Sequence, residues 1–144
     1  MIGDTIFAVS SPPGRAARGV VRLSGPDALA CLQGLGVRAG RRRATFAVPL
    51  TWPLPDLDDS IEVDSLVLVM PGPASYTGED VVELHLPGGP LLLETLGAQL
   101  VARGGARLAT PGEFSRRAFT NGRLSLDAAE GVLALIHPTH AQDR

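Results

Sequence analysis

One stretch, Ser75–Pro90 (SYTGEDVVELHLPGGP), limits the possible folds more than any other part of the chain. Ser75-Tyr76-Thr77-Gly78 has turn chemistry, with Gly78 free to adopt positive φ. Val81–Leu86 then alternates with period two. Val82, Leu84 and Leu86 fall on one face, and Val81, Glu83 and His85 on the other. Gly88-Gly89-Pro90 ends this strand and opens a helix, proline being suited to the first helical turn. An acid and a histidine thus share one strand face close to a Gly-rich helix start, an arrangement that can serve chemistry or binding or be an ordinary half-exposed strand.

The segments around it agree. Thr5–Val9 and Gly19–Leu23 read as strands, separated by the breaker Ser11-Pro12-Pro13-Gly14. Ser24-Gly25-Pro26 predicts a helix with Pro26 at its first position, Asp27 in its first turn and Leu29, Leu32 and Leu35 inward. Ala44–Leu50 is a further strand, and Thr51–Ser60, with its prolines and aspartates, a hairpin connection. Ile61–Met70 is apolar on both faces toward its end and is placed centrally. Leu91–Arg103 predicts a helix burying Leu92, Leu93, Leu96 and Leu100. Arg107–Ala109 is a short strand, Glu113–Phe119 a short helix burying Phe114 and Phe119. Ser125 caps a last helix with Leu126, Ala129, Val132, Leu133 and Ile136 on its apolar face. Hairpin-length connections give an α+β fold: a mostly antiparallel sheet with two packing helices, plus a C-terminal helix.

Composition excludes several functions. A net charge of −2 gives no bulk attraction for nucleic acid, although Arg103, Arg107, Arg116 and Arg117 could form a local basic face. All 13 basic residues are arginine, so the phosphate-loop pattern Gly-x-x-x-x-Gly-Lys-Ser/Thr is absent and GTPase activity is not expected from this chain. The single cysteine, Cys31, sits within an amphipathic helix and reads as a buried, inert thiol. His137 and His140 are three apart, but Pro138 lies between them and no third ligand is evident, so no metal site is expected. The four arginines of Arg38–Arg43 read as a solvated loop, with a phosphate-binding patch as the alternative. No apolar run approaches the roughly 20 residues that span a bilayer, no leader pattern opens the chain, and a cytoplasmic location is expected.

Three polar residues stand out. Glu83 and Arg22 lie mid-strand between apolar neighbours, and Arg123 follows an Asn-Gly turn. Glu83 and Arg22 can be solvent-facing or paired with each other. Alternatively, an acid on a sheet face accepts two parallel N–H bonds from a ring that carries an amino group beside a ring N–H. Charge-assisted bonds of that kind contribute about 1.5–3 kcal/mol each. A nearby arginine would then meet a carbonyl or carboxylate of the same ligand.

The segments DTIFAVSSPPGR (4–15), GVVRLSGPDAL (19–29), PGPASYTGEDVVELH (71–85), GARLATPGEFSRRAFTNGRLSL (105–126) and AAEGVLALI (128–136) resemble the N-terminal domain of the tRNA-modification GTPase family MnmE/TrmE. They stand in family order and spacing and cover nearly the whole chain. The resemblance implies a folate-binding-domain-like fold, related to that of the glycine-cleavage T-protein. It implies residues 1–122 as the folate-binding-like domain and 123–144 as the start of a truncated helical domain, without the GTPase domain. It further implies a homodimer that binds 5-formyltetrahydrofolate or a related tetrahydrofolate derivative through Arg22, Glu83 and Arg123. The family's partners are the FAD protein MnmG and tRNA, in wobble-uridine modification, and no membrane is involved. His85 inherits no role. Pro87 stands where the family often has histidine, Ser125 where it has aspartate, and Arg18 at a usually small or apolar position. The alternative is a dimerisation or interaction module that does not bind folate.

Overall fold

The computed structural model describes residues 3–10 and 18–136, the last by its backbone only. His137 and His140 lie outside these residues. Six strands form one sheet: β1 (Thr5–Ser10), β2 (Arg18–Ser24), β3 (Ala44–Leu54), β4 (Asp59–Met70), β5 (Val81–Pro87) and β6 (Ala106–Leu108). Their order is β3-β4-β5-β2-β1-β6, antiparallel throughout except that β6 runs parallel to β1. The helices are α1 (Ala28–Gly34), α2 (Pro90–Ala102), α3 (Glu113–Thr120) and α4 (Leu126–Ile136). The α+β architecture with a mostly antiparallel sheet is therefore as expected from the pattern.

One sheet face is dry. Val21 and Leu23 of β2 and Val82, Leu84 and Leu86 of β5 are fully buried there, in one cluster with Leu32 of α1 and Leu93, Leu96 and Leu100 of α2. Fully burying each such side chain contributes about 1.5–3 kcal/mol. At Gly19 a Cβ would lie 2.9 Å from a methyl of Leu93, so a larger residue there would require that side chain to shift. The opposite face is open. Leu66 and Leu68 of β4 are half-buried there, Thr45 and Ala47 of β3 are exposed, and Arg22, Glu83 and His85 lie between them and β1.

Three local expectations are corrected. The connection Thr51–Ser60 is mostly ladder: β3 and β4 pair out to Leu54 and Asp59, leaving a tight turn at Pro55–Asp58 with Asp58 left-handed (φ 51°). Pro49 and Pro53 are tolerated because β3 is an edge strand and needs no outward N–H bond. Trp52 is buried in this extension and donates its indole N–H to Thr95 Oγ1 at 3.1 Å. Helix α1 begins at Ala28, two residues later than proline placement suggests, with Asp27 as its cap and the Asp27 amide donating to Thr5 Oγ1 at 2.8 Å. Finally, α3 buries Ser115, Arg117 and Ala118, whereas Phe119 is 41% exposed and Phe114 half-buried. The ion pairs of Arg117, described below, turn that face inward.

Helix α4 packs against α3 and buries Ala129, while Leu126 and Leu135 remain exposed. Ser125 caps it as expected, its Oγ accepting the Ala128 N–H at 3.1 Å. No helix among the described residues is long and apolar enough to cross a membrane.

Candidate functional site

Antiparallel pairing of β2 with β5 sets Arg22 directly opposite Glu83. Both side chains project from the open face. Arg22 donates from Nε to Oε2 of Glu83 at 2.8 Å, and its Nη2 forms an ion pair with the same oxygen at 2.7 Å. The other carboxylate oxygen, Oε1, lies 3.1 Å from Nε2 of His85, two residues along the same strand. An ionised carboxylate can only accept, so this histidine nitrogen carries the hydrogen. Burial pushes the Glu83 carboxyl up, but the His85 bond and the Arg22 charge and bonds outweigh it and hold the group below the usual range. The guanidinium of Arg22 also sits 5.9 Å from the ring centroid of Phe114, within cation–π range. Beside this ring a cleft of about 290 Å³ opens, lined by Ala8, Thr110, Pro111, Phe114 and neighbours. Ala8 is the β1 residue opposite Arg22, so the cleft adjoins the cluster.

Arg123 is not in this cluster. Its Nε donates to the Ser75 carbonyl at 3.0 Å, and its stem lies against Gly78. Its place follows from the end of α3: the Arg123 N–H returns to the Ala118 carbonyl at 2.7 Å, next to left-handed Gly122 (φ 74°). The structure thus joins two of the three residues singled out in the sequence and ties the third to the loop 75–78.

That loop is pinned from all sides. Ser75 Oγ accepts the Gly78 N–H, Tyr76 and Ser115 share a hydrogen bond of 2.8 Å, and Asn121 Nδ2 donates to the Thr77 carbonyl at 2.8 Å. Buried Ser24 bonds both Thr77 Oγ1 and Glu79 Oε1 at 2.7 Å. Glu79 in turn receives Arg117 Nη1 at 3.1 Å. Arg117, only 5% exposed, also meets Asp4 (2.7 Å) and Glu113 (3.2 Å), and Arg107 binds the same two acids. Hydrogen bonds from Arg107 are the main reason that Glu113 is held down at about 2. Arg107 and Arg117 are therefore neutralised by acids and do not contribute to a basic face. The Arg38–Arg43 segment is also partly explained by structure. Arg41 braces Asp80 and the Gly72 carbonyl, and Arg43 bonds the Ala74 carbonyl, while Arg38 and Arg42 are exposed. Cys31 is buried, and burial pushes its thiol up to about 11, in keeping with an inert role.

The sequence marked Glu83 and His85 as sharing a face, but the contact of His85 with Glu83 and that of Phe114 with Arg22 were not foreseen. Period-two spacing was the available signal for the first. The second joins residues 92 positions apart and has no local signal. Arg18 and Pro87 are paired opposite each other at the exposed end of β2 and β5.

Comparison with known proteins decides the family. The chain matches the family described as GTP-binding protein TrmE N-terminus over residues 5–123. It belongs to that family. It is 48% identical over 135 residues to a tRNA modification GTPase MnmE of Novosphingobium aromaticivorans, covering 92% of this chain and 30% of that protein. It is 42% identical over 139 residues to the MnmE of Sodalis glossinidius, covering 96% and 30%. With the MnmE of Rhodospirillum rubrum the identity is 47% over 154 residues, covering 100% and 34%. The chain thus spans about a third of the length of these relatives and corresponds to the TrmE N-terminal domain.

Proposed function

We propose that this domain binds a tetrahydrofolate derivative such as 5-formyltetrahydrofolate and homodimerises, as one part of an MnmE-like protein of tRNA wobble-uridine modification. The observation that carries the reading is the Glu83 carboxylate held ionised on an open sheet face beside Arg22 and the Phe114 ring. The residues fit the ligand chemically. A reduced pterin presents a ring N–H beside an amino group, which a carboxylate accepts as two parallel bonds. Arg22 supplies a cation for the neighbouring carbonyl, and Phe114 an apolar surface for the ring system. Arg123, bonded to the loop 75–78, is assigned to a more distant part of the ligand. Residues 123–144 are read as the beginning of a helical domain, consistent with the exposed Leu126 and Leu135 of α4. Dimerisation is supported by half-buried Leu66 and Leu68 on the open face. GTP, the FAD protein MnmG and tRNA belong, in this reading, to the larger assembly.

The test is titration calorimetry with 5-formyltetrahydrofolate, with sedimentation run in parallel. Saturable binding by a dimer is expected. A second reading, a dimerisation module without folate, is favoured by one observation: both oxygens of Glu83 are already occupied, by Arg22 and His85. A folded dimer that releases no heat at high micromolar ligand would establish that second reading instead.

A further inference from the structure

We propose that His85 is the positioning residue of the Glu83 site: it aims the carboxylate and stays bound to it when ligand docks, while Arg22 gives way. This rests on the folate reading above. The two donors divide the carboxylate between them. Arg22 donates from Nε to Oε2 and sets Nη2 2.7 Å from the same oxygen, whereas His85 donates to Oε1. A ligand edge with two parallel N–H groups needs a free lone pair on each oxygen. Oε1 keeps one beside the His85 bond, but Oε2 accepts the Arg22 Nε–H and is crowded by Nη2 at 2.7 Å. Docking therefore displaces Arg22 from Oε2.

The Arg22 side chain is 44% exposed, so water can take up its donors as it withdraws. His85 is more enclosed and needs no displacement. Among the described residues, no other polar group stands directly beside Glu83 on the adjoining strands. Opposite Glu83 and His85, β4 presents Leu68 and Leu66, and opposite them β2 presents Arg22 and Val20. Beyond Arg22, β1 presents Ala8. Among the described residues, the charged or titratable groups acting on Glu83 are thus Arg22 and His85. With Arg22 withdrawn, His85 alone keeps the carboxylate oriented and favours its ionised form.

The test uses His85→Phe, which keeps a ring but loses the donor, and His85→Gln, which restores an N–H donor. Thermal melts confirm that each is folded. His85→Phe is expected to bind 5-formyltetrahydrofolate about tenfold more weakly. The acid limb of its binding profile, where Glu83 takes up a proton, should move to higher pH. His85→Gln should recover both. Carbon NMR of the Glu83 carboxyl, followed through an acid titration of ligand-free protein, reads the same link independently. Its midpoint should rise in His85→Phe and return in His85→Gln. Unchanged affinity, acid limb and midpoint in His85→Phe overturn the proposal. If the unaltered protein binds no folate, the proposed function fails. The carboxyl titration alone then decides: an unchanged midpoint overturns the role of His85, and a raised one upholds its hold on Glu83.

Discussion

Replacing Arg117 by methionine removes the buried cation that joins the loop 75–80 to α3 and to the start of β1. Three acids lose a partner, but not equally. Asp4 and Glu113 keep Arg107. Glu79, with its side chain 12% exposed, keeps only the hydroxyl of Ser24 among the described residues. The loss is therefore concentrated on one enclosed carboxylate. Removing one partner of a buried pair costs about 3–5 kcal/mol, and a single stranded acid with one remaining donor puts this case near 3 kcal/mol. Against a total of about 5–15 kcal/mol for a domain, that is a large fraction. Urea unfolding followed by circular dichroism measures it as a shift in midpoint at unchanged slope. The double variant Arg117→Met/Glu79→Gln removes the stranded charge, and about 1–2 kcal/mol should return. A loss below about 1 kcal/mol in the single variant, or strictly additive losses in the double, would refute the view that this network holds the loop.

Other outcomes follow from the same geometry. Glu113 is held at about 2 against an ordinary 4.5, so its folded value is depressed. Its stabilisation is complete above pH 4.5 and is lost as pH falls toward 2, with Asp4 and Glu83 shifted in the same direction. Because Arg107 is half exposed, the Glu113 share is discounted to about 1–2 kcal/mol. Urea midpoints at pH 6 and pH 3 measure it, and equal midpoints would contradict the assignment. Gly25 has φ 140° and a Cβ there would lie 2.6 Å from the Cα of Thr5, so Gly25→Ala should cost about 2 kcal/mol or more. A variant that melts like the parent would show that this turn is not constrained. Cys31 should react with a thiol reagent at neutral pH only as fast as the protein opens, and promptly in denaturant. Prompt reaction in the native state contradicts its burial.

The sheet was legible because its strands obey period two. Val82, Leu84 and Leu86 against Glu83 and His85 gave both the strand and its dry face, and the leucines of α2 gave the helix that covers it. Where the reading went astray, a tertiary contact overrode a local signal. The prolines in Thr51–Ser60 suggested a loop, but an edge strand accepts them. Phe119 looked like core, but the ion pairs of Arg117 set the phase of α3, and neither Asp4 nor Glu79 is near it in sequence. The site divided in the same way. Arg22 and Glu83 share a register that strand pairing supplies. Arg123 and Phe114 reach their places through turns and caps that leave no periodic trace.

The most direct test of the account compares the affinity of the parent and of Glu83→Ala for 5-formyltetrahydrofolate by calorimetry. Glu83 lies on the open face and its removal leaves the core untouched, so the variant should fold. The account predicts saturable binding by the parent and affinity more than tenfold weaker in Glu83→Ala. Equal affinity in the two proteins would contradict it.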